Sequence, residues 1–179
     1  MFIFFNTLNN LYAMSITQDE AAPETVLRLS ELMRYVIYQG QKEEVPLAAE
    51  IKYLQDYLEL QQIRLAPSVN LQFTQDLHDE QQMVPPLLFI ILLENAFKHG
   101  IEPAPEDAFL RIDLQTTATE LSFCCTNSVD PDYESTHPTG IGLTNLRRRL
   151  ALRFPARHTL RSEATADTYT AILTLNFTT

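Results

Sequence analysis

The chain has 179 residues, 45% of them hydrophobic and 20% charged, which is enough to bury a core and argues against disorder. A formal net charge of -10 argues against nucleic acid or anionic lipid as the main partner, because both need a basic footprint. A local basic pocket for a nucleotide remains compatible with that total.

The opening "MFIFF" is short, lacks a basic flank and a cleavage site, and is not a signal peptide. No apolar run reaches the length of a membrane span. The spacing of Phe5, Leu8, Leu11, Tyr12 and Ile16 predicts a helix over 2–16. "TQDEAAPE" follows as a loop, with Pro23 placed for a first helical turn. Val26, Leu29, Met33 and Val36 then mark an amphipathic helix over 24–39, stopped by Gly40. Two helices on a short loop form an antiparallel hairpin that cannot bury its stripe alone. Dimerisation through residues 2–40 into a four-helix bundle would bury it.

A third helix is expected over 46–64, opened by Pro46 and carrying Leu47, Ile51, Leu54 and Leu58. Val69, Leu71 and Phe73 alternate as a strand. Pro85 and Pro86 are placed to start an apolar helix ended by Gly100. Leu110, Ile112 and Leu114, then Leu121, Phe123 and Cys125, predict two antiparallel strands around "TTATE". Adjacent Cys124 and Cys125 should point to opposite faces and stay reduced. Residues 127–139 look like a polar loop. Beyond it, Leu143, Leu146, Leu150 and Phe154 define a helix, and strands are expected near 157–163 and 168–177. The order implies an α+β fold, a helical hairpin followed by a mixed sheet with helices on one face. The boundary is placed at about residue 42, giving domains 1–42 and 43–179.

Two stretches could carry chemistry. In "TGIGL", Gly140 and Gly142 would let a ligand approach the backbone where a helix N-terminus offers free N–H groups. As a pattern this is weak, and standing alone it is better read as a turn and helix N-terminus with no ligand. The polar loop before it has the length of a lid. In "ENAFKHG", Asn95 shares a helix face with Lys98 and with His99. An Asn oxygen can complete the shell of a Mg²⁺ that bridges phosphates, Lys98 can meet the same phosphates, and Glu94 can orient or deprotonate an attacking group. A helix C-terminus accounts for Lys98 and His99 without a ligand, but not for Asn95 at the end of an apolar run. Arg147, Arg148 and Arg149 read as the solvated face of their helix.

"PPLLFIILLENAFKHGI", followed about forty residues later by "GIGLTNLRRRLALRFP", resembles the nucleotide-binding domain of GHKL ATPases. The likeness is to the sensor histidine kinases of the LytS/YehU type, and "FNTLNNLYAMS", "LRLSELMRYVIY" and "VPLAAEIKYLQDYLELQQIRL" are similar to that family's dimerisation and linker helices. It implies a Bergerat-type α/β sandwich, ATP with Mg²⁺, a homodimer, and a response regulator as phosphoryl acceptor, the LytTR type being one candidate. By match to the N box, Asn95 would hold Mg²⁺, with catalytic Glu94, Lys98 and His99 near the phosphates. Gly140, Ile141, Gly142 and Leu143 match the second glycine box, with the ATP lid before them. The family also implies a cytoplasmic location, with any membrane attachment supplied by a region upstream of Met1.

Two departures stand out. Reading back from Asn6, Phe2 occupies the position of the family's phosphoacceptor His, and phenylalanine has no nucleophilic nitrogen. His78, His137 and His158 read as surface residues, not as replacements. At the family's adenine-gripping Asp stands Thr126, with Asn127 beside it and Asp130 close by. Either of the first two can hydrogen-bond an adenine edge, but neither brings a carboxylate. The expectation is therefore a protein-histidine kinase core lacking its own acceptor His. The alternative is a degenerate, non-catalytic GHKL scaffold that dimerises and regulates a partner.

Overall fold

The computed structural model describes residues 2–63, 65, 68–102, 108–129 and 141–178; the side chains of 2–6 and 141 lie outside that description. The chain divides into two compact units, Met1–Leu65 with Met83–Leu87, and Ala66–Gln82 with Leu88–Thr179.

The first unit is mostly helical. Helix α1 (Phe2–Ile16) and helix α2 (Ala22–Arg34) fold back on each other through a tight turn. In that turn Gln18 takes φ 55° and Asp19 Oδ1 accepts the Ala21 N–H at 2.9 Å. Leu11, Met14, Leu29 and Leu32 are buried. Helix α2 continues as a π-helical turn over Tyr35–Gln39, where the Gly40 N–H reaches back to the Tyr35 carbonyl at 3.1 Å. Strand β1 (Val45–Pro46) leads into helix α3 (Leu47–Gln62), which buries Leu47, Ile51, Leu54 and Leu58 as the periodicity requires. Arg28 of α2 bridges to Glu59 of α3. The structural division falls after Leu65, so α3 groups with the hairpin.

The second unit is a layer of helices on a five-stranded sheet. Strands β2 (Asn70–Asp76), β4 (Phe109–Thr116), β5 (Glu120–Ser128), β6 (His158–Ala164) and β7 (Thr168–Asn176) lie in the order β2-β4-β5-β7-β6. The β2–β4 pair is parallel and the other three are antiparallel, which makes the sheet mixed. On β4, β5 and β7 one face carries buried Leu110, Ile112, Leu114, Leu121, Phe123, Cys125, Leu173 and Leu175. Helix α4 (Ile90–Ala96) packs on β5, and helix α5 (Ile141–Arg153) packs on α4 and β6. Helix α5 buries Leu143, Leu146 and Leu150, with Phe154 just beyond it, while Arg147 and Arg148 are exposed. Cys125 is buried and Cys124 half-buried, both free thiols whose pKa values burial pushes up.

Three boundaries differ from expectation. Helix α4 begins at Ile90 and not at the proline pair, because Leu87 takes φ 57° and breaks the helical path. Before it, Met83–Val84 form strand β3, antiparallel to β1 inside the first unit. Helical structure also runs through Gly100 to Ile101 as a second π-helical turn, so Gly100 does not end the helix. Asn127 and Ser128 belong to β5 and not to the polar loop, since the inward alternation of Leu121, Phe123 and Cys125 continues onto Asn127. Positions 130–140, including Asp130, His137 and Gly140, lie outside the described residues. Among those described, no helix is long and apolar enough to cross a membrane.

Candidate functional site

Helix α4 is driven into the second unit by Ile90, Leu92, Leu93, Ala96 and Phe97, all buried, and Phe89 stacks on Phe123 of β5 at 4.8 Å. That burial fixes where its polar residues emerge. Glu94, Asn95 and His99 are half-buried, and Lys98 is exposed. Desolvation by burial raises the Glu94 pKa above the usual carboxylate range, which makes it a stronger base once ionised.

The Asn95 Nδ2 donates to the Ile91 carbonyl at 2.8 Å. This commits the amide nitrogen to its own helix and leaves Oδ1 as the group for a ligand, a hard oxygen suited to Mg²⁺. Among the described residues no group of three or more His, Cys, Asp or Glu side chains gathers to hold a metal. A Mg²⁺ at Asn95 would take the rest of its shell from phosphate and water, as this ion usually does.

Helix α5 brings its N-terminus to the same place. A Cβ added at Gly142 would lie 3.4 Å from Ile91 Cγ2, so the first turn of α5 lies against α4 one turn before Asn95. Gly142 is exposed. The first N–H groups of a helix have no partner within it and, with its dipole, favour an anion. Leu143, expected in the glycine box, sends its side chain into the core at 8% exposure and can offer only its backbone.

The two residues expected to read adenine, Thr126 and Asn127, are split by the sheet. Neighbours on a strand face opposite sides. Thr126 points to the outer face, where its hydroxyl meets the Thr170 hydroxyl at 3.0 Å across β7. Asn127 points to the helix side and is buried. Its Nδ2 donates to the Ser128 carbonyl at 2.8 Å, and among the described residues its buried Oδ1 has no hydrogen-bond partner. A buried acceptor left without a donor is costly, which marks this oxygen as one that a further donor would satisfy. Gly100 permits a close approach of the helix to β5: a Cβ there would run into the Asn127 side-chain amide and the Ser128 carbonyl oxygen. The sequence shows both signals, a glycine inside an apolar helix and an Asn at an inward position of an alternating strand, but not that they meet.

The other two described histidines stay apart from these groups. His78 is exposed, and His158 at the start of β6 pairs Nδ1 with the Phe154 carbonyl at 2.7 Å. Phe2 opens α1, with a side chain outside the description.

Comparison with known proteins finds a matching family, similar sequences and a shared fold. Residues 2–69 match the model of a family described as histidine kinase. The chain is 26% identical over 174 residues to sensor protein LytS of Staphylococcus haemolyticus, covering 90% of this chain and 30% of that protein. It is 30% identical over 159 residues to LytS of Staphylococcus saprophyticus, covering 82% and 27%. The chain thus spans less than a third of these relatives. Among solved structures, the catalytic domain of histidine kinase ThkA aligns with a TM-score of 0.51 at 16% identity, over 74% of this chain and 94% of that one. ThkA in complex with the response regulator TrrA aligns with a TM-score of 0.51 at 15% identity, over 98% of this chain and 59% of that one. At such identity these structures establish a shared fold.

Proposed function

The chain belongs to the LytS-type sensor histidine kinases, and from that premise we propose that it is the Mg-ATP-binding kinase core of such a receptor. Residues 2–40 pair two copies, and the region from 43 onward carries the nucleotide site. One observation carries this reading: the glycine-led N-terminus of α5 and the Asn95 amide meet at the same residue of α4, Ile91.

In this reading the α5 N-terminus, at Gly142 and the backbone of Leu143, receives the phosphates. Lys98 adds positive charge, and His99 lies on the same stretch of helix. Asn127 Oδ1 accepts from the exocyclic amine of adenine, the role a carboxylate plays in the wider family, while Thr126 takes no part. Asn95 Oδ1 would hold a Mg²⁺, which would supply positive charge to offset what develops on the phosphates. Glu94, made more basic by burial, orients or deprotonates the attacking group. The acceptor histidine comes from outside this chain, and a response regulator then takes the phosphoryl group. The fragment works in the cytoplasm beneath a membrane receptor.

A thermal shift experiment tests the site. Mg-ATP at about one hundred times its dissociation constant should add about 2.7 kcal/mol of stability. Asn95→Ala should reduce that response to the level seen with ATP and a chelator. A wild-type protein that shows no shift yet remains dimeric would be a scaffold and not a nucleotide-binding core.

A further inference from the structure

Glu50 is a carboxylate with 0% exposure on the apolar stripe of α3, between Leu47 and Ile51. One of its oxygens, Oε1, accepts two hydrogen bonds, from the Tyr35 hydroxyl at 2.7 Å and from the Leu87 N–H at 2.7 Å. Tyr35 opens the π turn that finishes α2, and its ring stacks on Tyr53 of α3 at 4.7 Å. Burial first, and then the charge of Glu50, hold the Tyr35 phenol far above its ordinary pKa, so it stays a donor across the working pH range.

Leu87 is the other end of this bridge. Its φ of 57° is left-handed, a conformation that costs a branched side chain of the order of 1 kcal/mol or more and persists only where neighbours enforce it. Two neighbours do so. One is the Glu50 carboxylate on its N–H. The other is Gly40, at the far end of the π turn, where an added Cβ would fall 2.9 Å from Leu87 Cδ1 and 2.4 Å from the Val36 carbonyl oxygen. Both ends of the π turn therefore bear on a single residue. Leu87 is also the last residue of the first unit before the chain enters α4.

A π turn is an α-helix with one residue too many. Rewinding it to regular α would rotate the chain beyond it by roughly 100° and carry Gly40 away from Leu87. We propose that Tyr35, Glu50 and Leu87 form a coupling latch, in which Glu50 is a positioning residue that ties the winding of the hairpin's last turn to the backbone entering α4. The latch lies within the helical unit and stands whether or not nucleotide binds.

Hydrogen–deuterium exchange on the full chain, resolved by mass spectrometry, tests it. Tyr35→Phe removes one hydroxyl and keeps the ring and its stack. It should speed exchange about tenfold in the peptide spanning 87–92 as well as in 35–40, as expected for the loss of about 1.4 kcal/mol of local protection. Amides of β4 and β5 should not change. Glu50→Gln, which keeps shape but weakens both hydrogen bonds, should move the same two segments further. Acceleration confined to 35–40 would overturn the proposal, and so would uniform acceleration across the helical unit with no excess at 87–92. If Glu50→Gln fails to fold, Tyr35→Phe decides alone.

Discussion

The two units solve the problem of burying apolar surface in opposite ways. In the sandwich, Leu110, Phe123, Leu173 and Leu175 each stand at 0% exposure beneath a helix layer. In the hairpin, Leu8 is 50% exposed, Tyr12 70% and Ile37 50%. A groove of about 770 Å³ runs along the hairpin, lined by these three with Leu11, Val26 and Met33. A sheet with helices on one face closes its own core. Two helices have only one shared seam, and an α2 that is apolar on two sides leaves the second side open. The sheet covers its apolar face within one chain, whereas the hairpin leaves apolar surface that a second pair of helices would cover.

The largest test of that contrast is at Gly100. If the sandwich is tightly closed there, Gly100→Ala should destabilise it by about 3 kcal/mol, because the new methyl lands on Asn127 and the β5 backbone. Urea unfolding followed by a probe in the sandwich measures this, and a loss under about 0.5 kcal/mol would mean the close approach is not real packing.

Next comes the open side of the hairpin. Met33→Gln together with Ile37→Gln should weaken self-association by about 3 kcal/mol, or roughly 100-fold in dissociation constant, in sedimentation equilibrium. The sandwich transition should not move. Leu152→Gln on α5, at a residue 77% exposed, is the control: if it weakens assembly equally, the hairpin is not the seam.

The smallest effect lies inside the sandwich. Burial raises the folded-state pKa of Glu94 above its unfolded value, so the folded protein holds that proton more tightly. The associated stability is fully present below the unfolded pKa and is lost as pH rises through the folded one. Glu94→Gln should therefore be closest to wild type at acid pH and gain on it steadily as pH rises through that window, in urea titrations at a series of pH values. A constant difference across the series would remove burial as the cause.

Much of the fold is legible from periodicity, because periodicity records which side of an element is buried. The five strands of the sandwich and the stripe of Leu143, Leu146 and Leu150 follow from it directly. The illegible parts depend on contacts distant in sequence. The start of α4 is set by a left-handed Leu87 whose N–H is claimed by Glu50, and nothing near "VPPLL" announces that. The β1–β3 pairing is two residues long and has no period to detect. The site is half readable. Asn95 and Gly142 stand out against their neighbours, but side-chain chemistry alone leaves Thr126 and Asn127 equivalent. Strand parity separates them, since Leu121, Phe123 and Cys125 already fix odd numbers as inward.

The parallel pairing of β2 with β4 has a mechanical consequence. Parallel neighbours force the chain to recross the sheet between them, and α4 lies in that recrossing. A displacement of α4 along the sheet would strain two strands locked to each other. Helix α5 is slung differently: the strands on either side of it in the chain, β5 and β6, are not neighbours, because β7 lies between them. The helix bearing Asn95 is thus tied at both ends to strands that pair with each other. Helix α5, which begins at Gly142, has no such pair of neighbouring strands to hold it.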